Sequence, residues 1–177
     1  YCFRDILRLV KSDEFKKEEY KWICIDSLTE MSDRCMADVE KEFDSPTDMR
    51  KWQDYERQMI GALKFIRDLP YEVYVTCLAK EEKNDNDAIE YWPMVTQTKV
   101  AKKLPALFDH VFCGLRSTDE SSGAVTVSRQ IITDSVRGWH GKTRDPRGRL
   151  KAVEKSGNVV ELLKRMSSDD SQLKAAE

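Results

Sequence analysis

The sequence predicts an α/β fold in which helices alternate with the strands of a mostly parallel sheet that ends in an antiparallel edge hairpin. Three observations predict it. Short apolar runs at 21–26 and 71–79 stand between long segments whose apolar residues recur at spacings of three and four. Strands separated by helices are the mark of a parallel sheet, because parallel neighbours need a crossover connection. Two further β-like runs, 109–115 and 124–135, are joined by the turn-rich "STDESSG", which makes the last strand antiparallel.

The elements follow in chain order. Phe3, Ile6, Leu7 and Val10 place one apolar face on a helix over 3–17, with Phe15 near its end. "KWICID", 21–26, is short and uniformly apolar before its aspartate, as a strand buried on both faces would be. Leu28, Met31, Cys35, Met36, Val39 and Phe43 line a second helix. "SPTD" at 45–48 offers a serine cap and a first-turn proline for a third helix, which runs through Trp52, Tyr55, Met59, Leu63 and Ile66 toward Pro70. At that spacing Trp52, Tyr55 and Met59 read as core. "YEVYVTCLA", 71–79, is the second strand, "KEEKNDNDAIEYWP" a polar loop, and 96–106 a short helix. After the strand pair come the Gly- and Arg-rich "VRGWHGKTRDPRGRL", the short helical "VVELLKRM" and a polar tail expected to fray. No internal repeat is present, and the division expected is a core over 1–150 with a C-terminal helix and tail over 151–177.

Composition narrows the function classes. A chain of 177 residues with 40% hydrophobic and 35% charged residues can build a sizeable core. Thirty Lys and Arg against 32 Asp and Glu leave no global field to recruit a polyanion, so any such binding must come from a local patch. The five cysteines, at 2, 24, 35, 77 and 113, form no CxxC pair and read as reduced core thiols rather than a disulfide framework or zinc site. No apolar run nears the roughly 18 residues of a membrane helix, and the first residues lack a signal peptide's layout. The expectation is a soluble cytoplasmic protein with no membrane partner.

The candidate chemistry begins at Asp26 and Ser27, which end an apolar strand. In α/β domains ligands bind beyond the carboxyl ends of the strands, where such an aspartate can hold Mg²⁺ beside phosphates, often through water. The same residues also read as the N-cap of the helix starting at Leu28. The segment "GKTRD", 141–145, sets Lys142 and Arg144 two residues apart, so that in an extended stretch both cations face one anion. A Gly-Arg-Pro loop reads equally as a solvated basic turn. Arg137, Lys142, Arg144, Arg147, Arg149 and Lys151 around Trp139 and His140 form a third possibility, a grip on single-stranded DNA by phosphate contacts and a stacking ring. His110 reads as structural, no cysteine or carboxylate gives either histidine a metal spacing, and Glu81, Glu82, Asp85 and Asp87 read as solvated charge.

Taken in order and spacing, "WICIDSLTEM", "EVYVTCLAKEE", "WPMVTQTKVAKKLPALFDHVFCGL" and "RQIITDSVRGWHGKTRDPRG" resemble the phage-encoded RecA-like ATPases of the Sak group, a set of AAA-domain and phage nucleotide-binding proteins. The resemblance spans roughly residues 3–150. It implies a RecA-like P-loop core in which Ile23 to Ser27 is the Walker B strand and Asp26 holds Mg²⁺ through water. A polar sensor would follow the next strand, at Thr76, Lys80 or Glu81. Lys142 and Arg144 would reach into a neighbouring subunit's ATP as a finger in trans. The resemblance further implies ATP and Mg²⁺ as cofactors, a homo-oligomer on single-stranded DNA, other phage recombination proteins as partners, and the bacterial host cytoplasm as location.

One family feature is missing. No GxxxxGK[ST], the loop that cradles phosphates with its amides and lysine, occurs in these 177 residues. The expectation is therefore a core that is N-terminally incomplete, lacking first strand, P-loop, first helix and the strand of the catalytic glutamate, with an exposed sheet edge. Glu30 is the nearest acidic substitute and reads as solvated or capping. The rival from another class is a non-catalytic RecA-like module that binds DNA or a partner without a P-loop.

Overall fold

The computed structural model describes residues 3–119 and 125–168. Part of the "STDESSG" turn and the tail from 169 onward lie outside the described residues. The chain forms two compact units: residues up to 81 with 92–108, and residues 82–91 with those from 109 onward.

The first unit opens on α1 (Phe3–Lys11) and α2 (Asp13–Lys17), two helices where the apolar spacing predicts one. Ser12 breaks the run, its hydroxyl accepting from the Phe15 amide as the cap of α2. β1 (Trp22–Ile25) follows, then α3 (Leu28–Glu40), α4 (Arg50–Arg67) and β2 (Glu72–Val75). β1 and β2 pair in parallel, Trp22 with Glu72 through Ile25 with Val75. Ile25, Val73 and Val75 pack on a core built from Leu28, Met31, Cys35, Met36 and Val39 of α3 and Tyr55, Met59, Ala62, Leu63 and Ile66 of α4. Val100, Ala101 and Leu104, from α5 (Thr98–Ala101) and the 3₁₀ turn Leu104–Leu107, complete it.

Two expectations fail here for identifiable reasons. β1 is not buried on both faces: burial alternates, and Trp22 and Cys24 point to solvent because among the described residues only one face of the pair is covered. "SPTD" does not start α4. Ser45 closes a local turn by accepting from the Thr47 amide, and Asp48 instead receives the Arg50 amide at the helix start. Of the thiols, Cys35 is buried, which pushes it up to about 12, whereas Cys24 and Cys77 are exposed rather than core.

The chain leaves the first unit through β3 (Ala79–Lys83) and returns along β4 (Ile89–Pro93), so the predicted polar loop is a hairpin. Asn84 folds its tip, its side-chain oxygen accepting from the Asn86 and Ala88 amides while Asp87 takes φ 58°. In the second unit β5 (Cys113–Asp119) and β6 (Thr126–Ile132) are antiparallel over seven residues, and β6 carries β9 (Val153–Glu154) on its other side. β7 (Ser135–Val136) and β8 (Trp139–His140) form a small hairpin, and α6 (Val159–Ser167) follows. Among the described residues parallel pairing is confined to β1–β2 and the Tyr91–Trp139 rung of β4–β8, so the molecule holds three separate sheets rather than one mostly parallel sheet.

The β7–β8 hairpin turns on Arg137 and Gly138, both with positive φ (54° and 79°), as a two-residue loop matched to strand twist requires. A Cβ on Gly138 would stand 2.2 Å from the Ile89 carbonyl oxygen. Gly138→Ala therefore meets both backbone strain and a backbone clash, and a loss of about 2 kcal/mol or more is expected in urea denaturation.

α6 is tied down by ions. Arg165 bonds the nearly buried Glu154 at 2.5 Å, and the Arg149 guanidinium donates to the Arg165 carbonyl at 2.9 Å and the Ser168 hydroxyl at 3.1 Å. The bond from Arg165 holds the Glu154 carboxyl below its usual range despite burial. A lowered carboxylate contributes stability that is present above the unfolded pKa, near 4.5, and lost as pH falls through the lower folded value. Glu154→Gln should thus flatten the acid side of the stability profile below about pH 4.5.

Candidate functional site

Asp26 and Thr76 occupy the rung after the last β1–β2 pair, at the carboxyl ends of both strands. The ladder continues through them: the Thr76 amide donates to the Ile25 carbonyl at 3.0 Å, and the Leu28 amide to the Thr76 carbonyl at 2.8 Å. The Thr76 hydroxyl donates to Asp26 Oδ1 at 2.5 Å. Asp26 is exposed, and its Oδ2 receives no hydrogen bond from the described residues. The Asp26–Ser27 peptide is cis.

The choice between metal ligand and cap resolves by division of labour. Ser27 is the N-cap of α3, its hydroxyl accepting from the Glu30 amide at 3.3 Å, so the Asp26 carboxylate is not used for capping. Glu30 is paired with Arg34 at 2.7 Å one turn along α3. Lys80 lies on β3, exposed.

Thr29 is a residue the sequence reading missed. Its hydroxyl accepts from the Leu78 amide at 3.2 Å and meets Cys77 Sγ at 3.4 Å, pinning the chain that leaves β2 against the start of α3. A threonine in the first turn of a helix next to a strand tip was the available signal. A buried chain of hydroxyls fixes the return from β4: Ser32 meets Tyr55 OH at 2.6 Å and Thr96 Oγ1 at 2.9 Å, and accepts from the Thr96 amide at 2.9 Å.

No group of three or more His, Cys, Asp and Glu able to hold a metal exists among the described residues. A cage made wholly of protein ligands is therefore not what Asp26 belongs to. One oriented, solvent-facing carboxylate fits the other kind of Mg²⁺ site, in which the ion keeps waters and is shared with phosphate oxygens.

The basic segment lies in the second unit. Lys142 and Val111 exchange backbone hydrogen bonds at 2.7 and 3.0 Å as an isolated antiparallel bridge. Two residues along, on the same face, Arg144 Nη1 contacts Asp109 Oδ1 at 2.6 Å with both side chains about two-thirds exposed. Arg137 sits at the exposed tip of the β7–β8 turn. Arg147 Nη1 donates to the Ser168 carbonyl at 3.2 Å, so it and Arg149 both hold the end of α6. Trp139 stacks on Tyr91 with centroids 4.2 Å apart, and His140 Nε2 stands 3.5 Å from Glu90 Oε2. His110 stacks on Phe112.

A family model described as an AAA domain matches residues 1–145. No curated protein and no solved structure matches the chain. No helix among the described residues is long and apolar enough to cross a membrane.

Proposed function

This chain belongs to the AAA domain family, and from that premise we propose that the β1–β2 tip faces Mg-ATP in a RecA-like P-loop ATPase core of the phage-encoded Sak group. The family is one of nucleotide-binding ATPases. The carrying observation is the Asp26 carboxylate, with Oδ1 oriented by Thr76, Oδ2 open to solvent and the capping task left to Ser27. Bound Mg-ATP supplies the phosphoryl chemistry. Asp26 holds the hydrated cation, Thr76 fixes the carboxylate, and Ser27 sets the direction in which α3 departs. Lys80 is the nearest downstream cation able to serve the phosphate side.

In the same reading residues 1–150 form the core and 151–177 its C-terminal helix and tail, and the core works as a homo-oligomer on single-stranded DNA in phage recombination, with other recombination proteins, in the host cytoplasm. Lys142 and Arg144 act on the neighbour's ATP. The Arg144–Asp109 pair is exposed and worth only about 0–1 kcal/mol, so it yields easily to a phosphate. Arg137, at an exposed turn tip, is the cation best placed for DNA, while Arg147 and Arg149 would have to leave the α6 carbonyls.

A second reading has its own support: no GxxxxGK[ST] occurs in these residues, as in a module that binds DNA or a partner without hydrolysis. On either reading the chain by itself should bind Mg-ATP more weakly than micromolar. Titration of Asp26→Asn separates them. Asparagine keeps an oxygen for Thr76 and loses the charge, so Mg-ATP affinity should fall about tenfold to a hundredfold. Affinity for ATP without Mg²⁺ should hold or rise, because the polyanion no longer meets a carboxylate. Equal Mg-ATP affinity in both proteins would favour the module.

A further inference from the structure

We infer that the β5–β6 ribbon is a duplex-DNA contact, a surface separate from the nucleotide-facing tip and independent of its assignment. The outer half of the ribbon, residues 116–119 and 125–129, is exposed throughout. On one face Arg116 and Arg129 stand directly opposite each other in the ladder. Among the described residues neither has an ion-pair partner. Like charges across an antiparallel pair destabilise the sheet, so two facing guanidiniums are a cost to folding that a bound anion would offset.

Arg129 is also positioned. A Cβ on Gly157 would come within 2.9 Å of Arg129 Cβ and 3.3 Å of its Cδ, so the glycine leaves room for the arginine stem to lie along the backbone while the head stays at the surface. Thr118 and Val127 continue the same face toward the tip, and on the opposite face the Ser117 and Ser128 hydroxyls hydrogen-bond at 2.5 Å across the ladder.

The form of the surface selects the anion. A two-stranded ribbon exposed along its outer half encloses no cavity for a small phosphate, whereas it fits a groove of B-form DNA about 12 Å wide. The guanidinium fork matches phosphate oxygens, and a hydroxyl such as that of Thr118 can add a sugar or phosphate contact. Neither 113–119 nor 125–132 contains an aromatic residue, so the ribbon lacks the stacking platform that single strands need.

The test is binding of a labelled duplex and of the matching single strand to the whole chain across a range of salt, with heparin and anionic vesicles as controls. Arg116→Ala with Arg129→Ala should weaken duplex binding about tenfold or more and reduce its salt slope by about 2, roughly 0.9 for each phosphate released. Arg116→Lys with Arg129→Lys should keep most of the slope, since a lysine still neutralises a phosphate, and Ser117→Ala with Ser128→Ala should keep duplex affinity. The alanine pair should melt no lower than the parent, because it removes a repulsion. Unchanged duplex binding, an equal loss for the single strand, or retention only of heparin or vesicle binding would overturn the proposal. So would a loss of duplex affinity in the serine variant as large as in the arginine one.

Discussion

Removing both cations of the "GKTRD" segment, Lys142→Ala with Arg144→Ala, is expected to lower ATP turnover about a thousandfold in an assembly that supplies the phosphate-cradling loop, the low end of what an arginine finger contributes. The bridge between Lys142 and Val111 is made by backbone and survives the change, and the Arg144–Asp109 pair is exposed, so the fold should persist within about 1 kcal/mol. Duplex and single-strand affinities should change little. If instead turnover holds while single-strand affinity and its salt slope fall, the cluster is a DNA grip. A mixture sharpens the test, because the double variant and Asp26→Asn damage opposite halves of a shared site. Mixed assemblies contain some intact interfaces and should recover part of the lost turnover, while a finger acting within its own chain would give no recovery.

The largest effect on stability is expected at Tyr55. It is fully buried in the α3–α4 core, and its hydroxyl joins Ser32 at 2.6 Å, which in turn holds Thr96. Tyr55→Ala should cost about 3–5 kcal/mol by cavity formation alone. Tyr55→Phe keeps the ring and leaves Ser32 bonded to Thr96, so about 1 kcal/mol is expected. Urea denaturation followed by tryptophan fluorescence reads both; an alanine loss of less than about 1 kcal/mol would mean that the helix pair repacks without the ring.

What the sequence made legible follows from where periodicity reports burial. α3, α4 and α6 bury one face each, and Leu28, Met31, Cys35, Tyr55, Met59, Leu63 and Leu162 mark those faces directly. β3 carries "AKEEK", exposed at four of its five positions, so no apolar alternation distinguished it from a loop; the hairpin is held by Asn84 and by pairing with β4. The uniform apolar run of β1 gave no sign that only one of its faces is covered, because Trp22 and Cys24 are as apolar as Ile23 and Ile25. At the site, Asp26 and Ser27 were visible as a strand end, but their separate roles depend on Thr76, fifty residues away. Arg149 was counted with the basic cluster because its charge is local; its hold on the end of α6, made across sixteen to nineteen residues, is a product of the fold.

The central claim is that Asp26 faces a nucleotide-bound cation, and paramagnetic mapping tests it most directly, since it reads weak binding. Mn²⁺-ATP added to the isotopically labelled chain should broaden amide signals at 26–29 and 76–78 first, and Asp26→Asn should abolish that broadening while ATP without metal still shifts nearby signals. Broadening centred elsewhere, or broadening at these residues that persists in Asp26→Asn, would contradict the account.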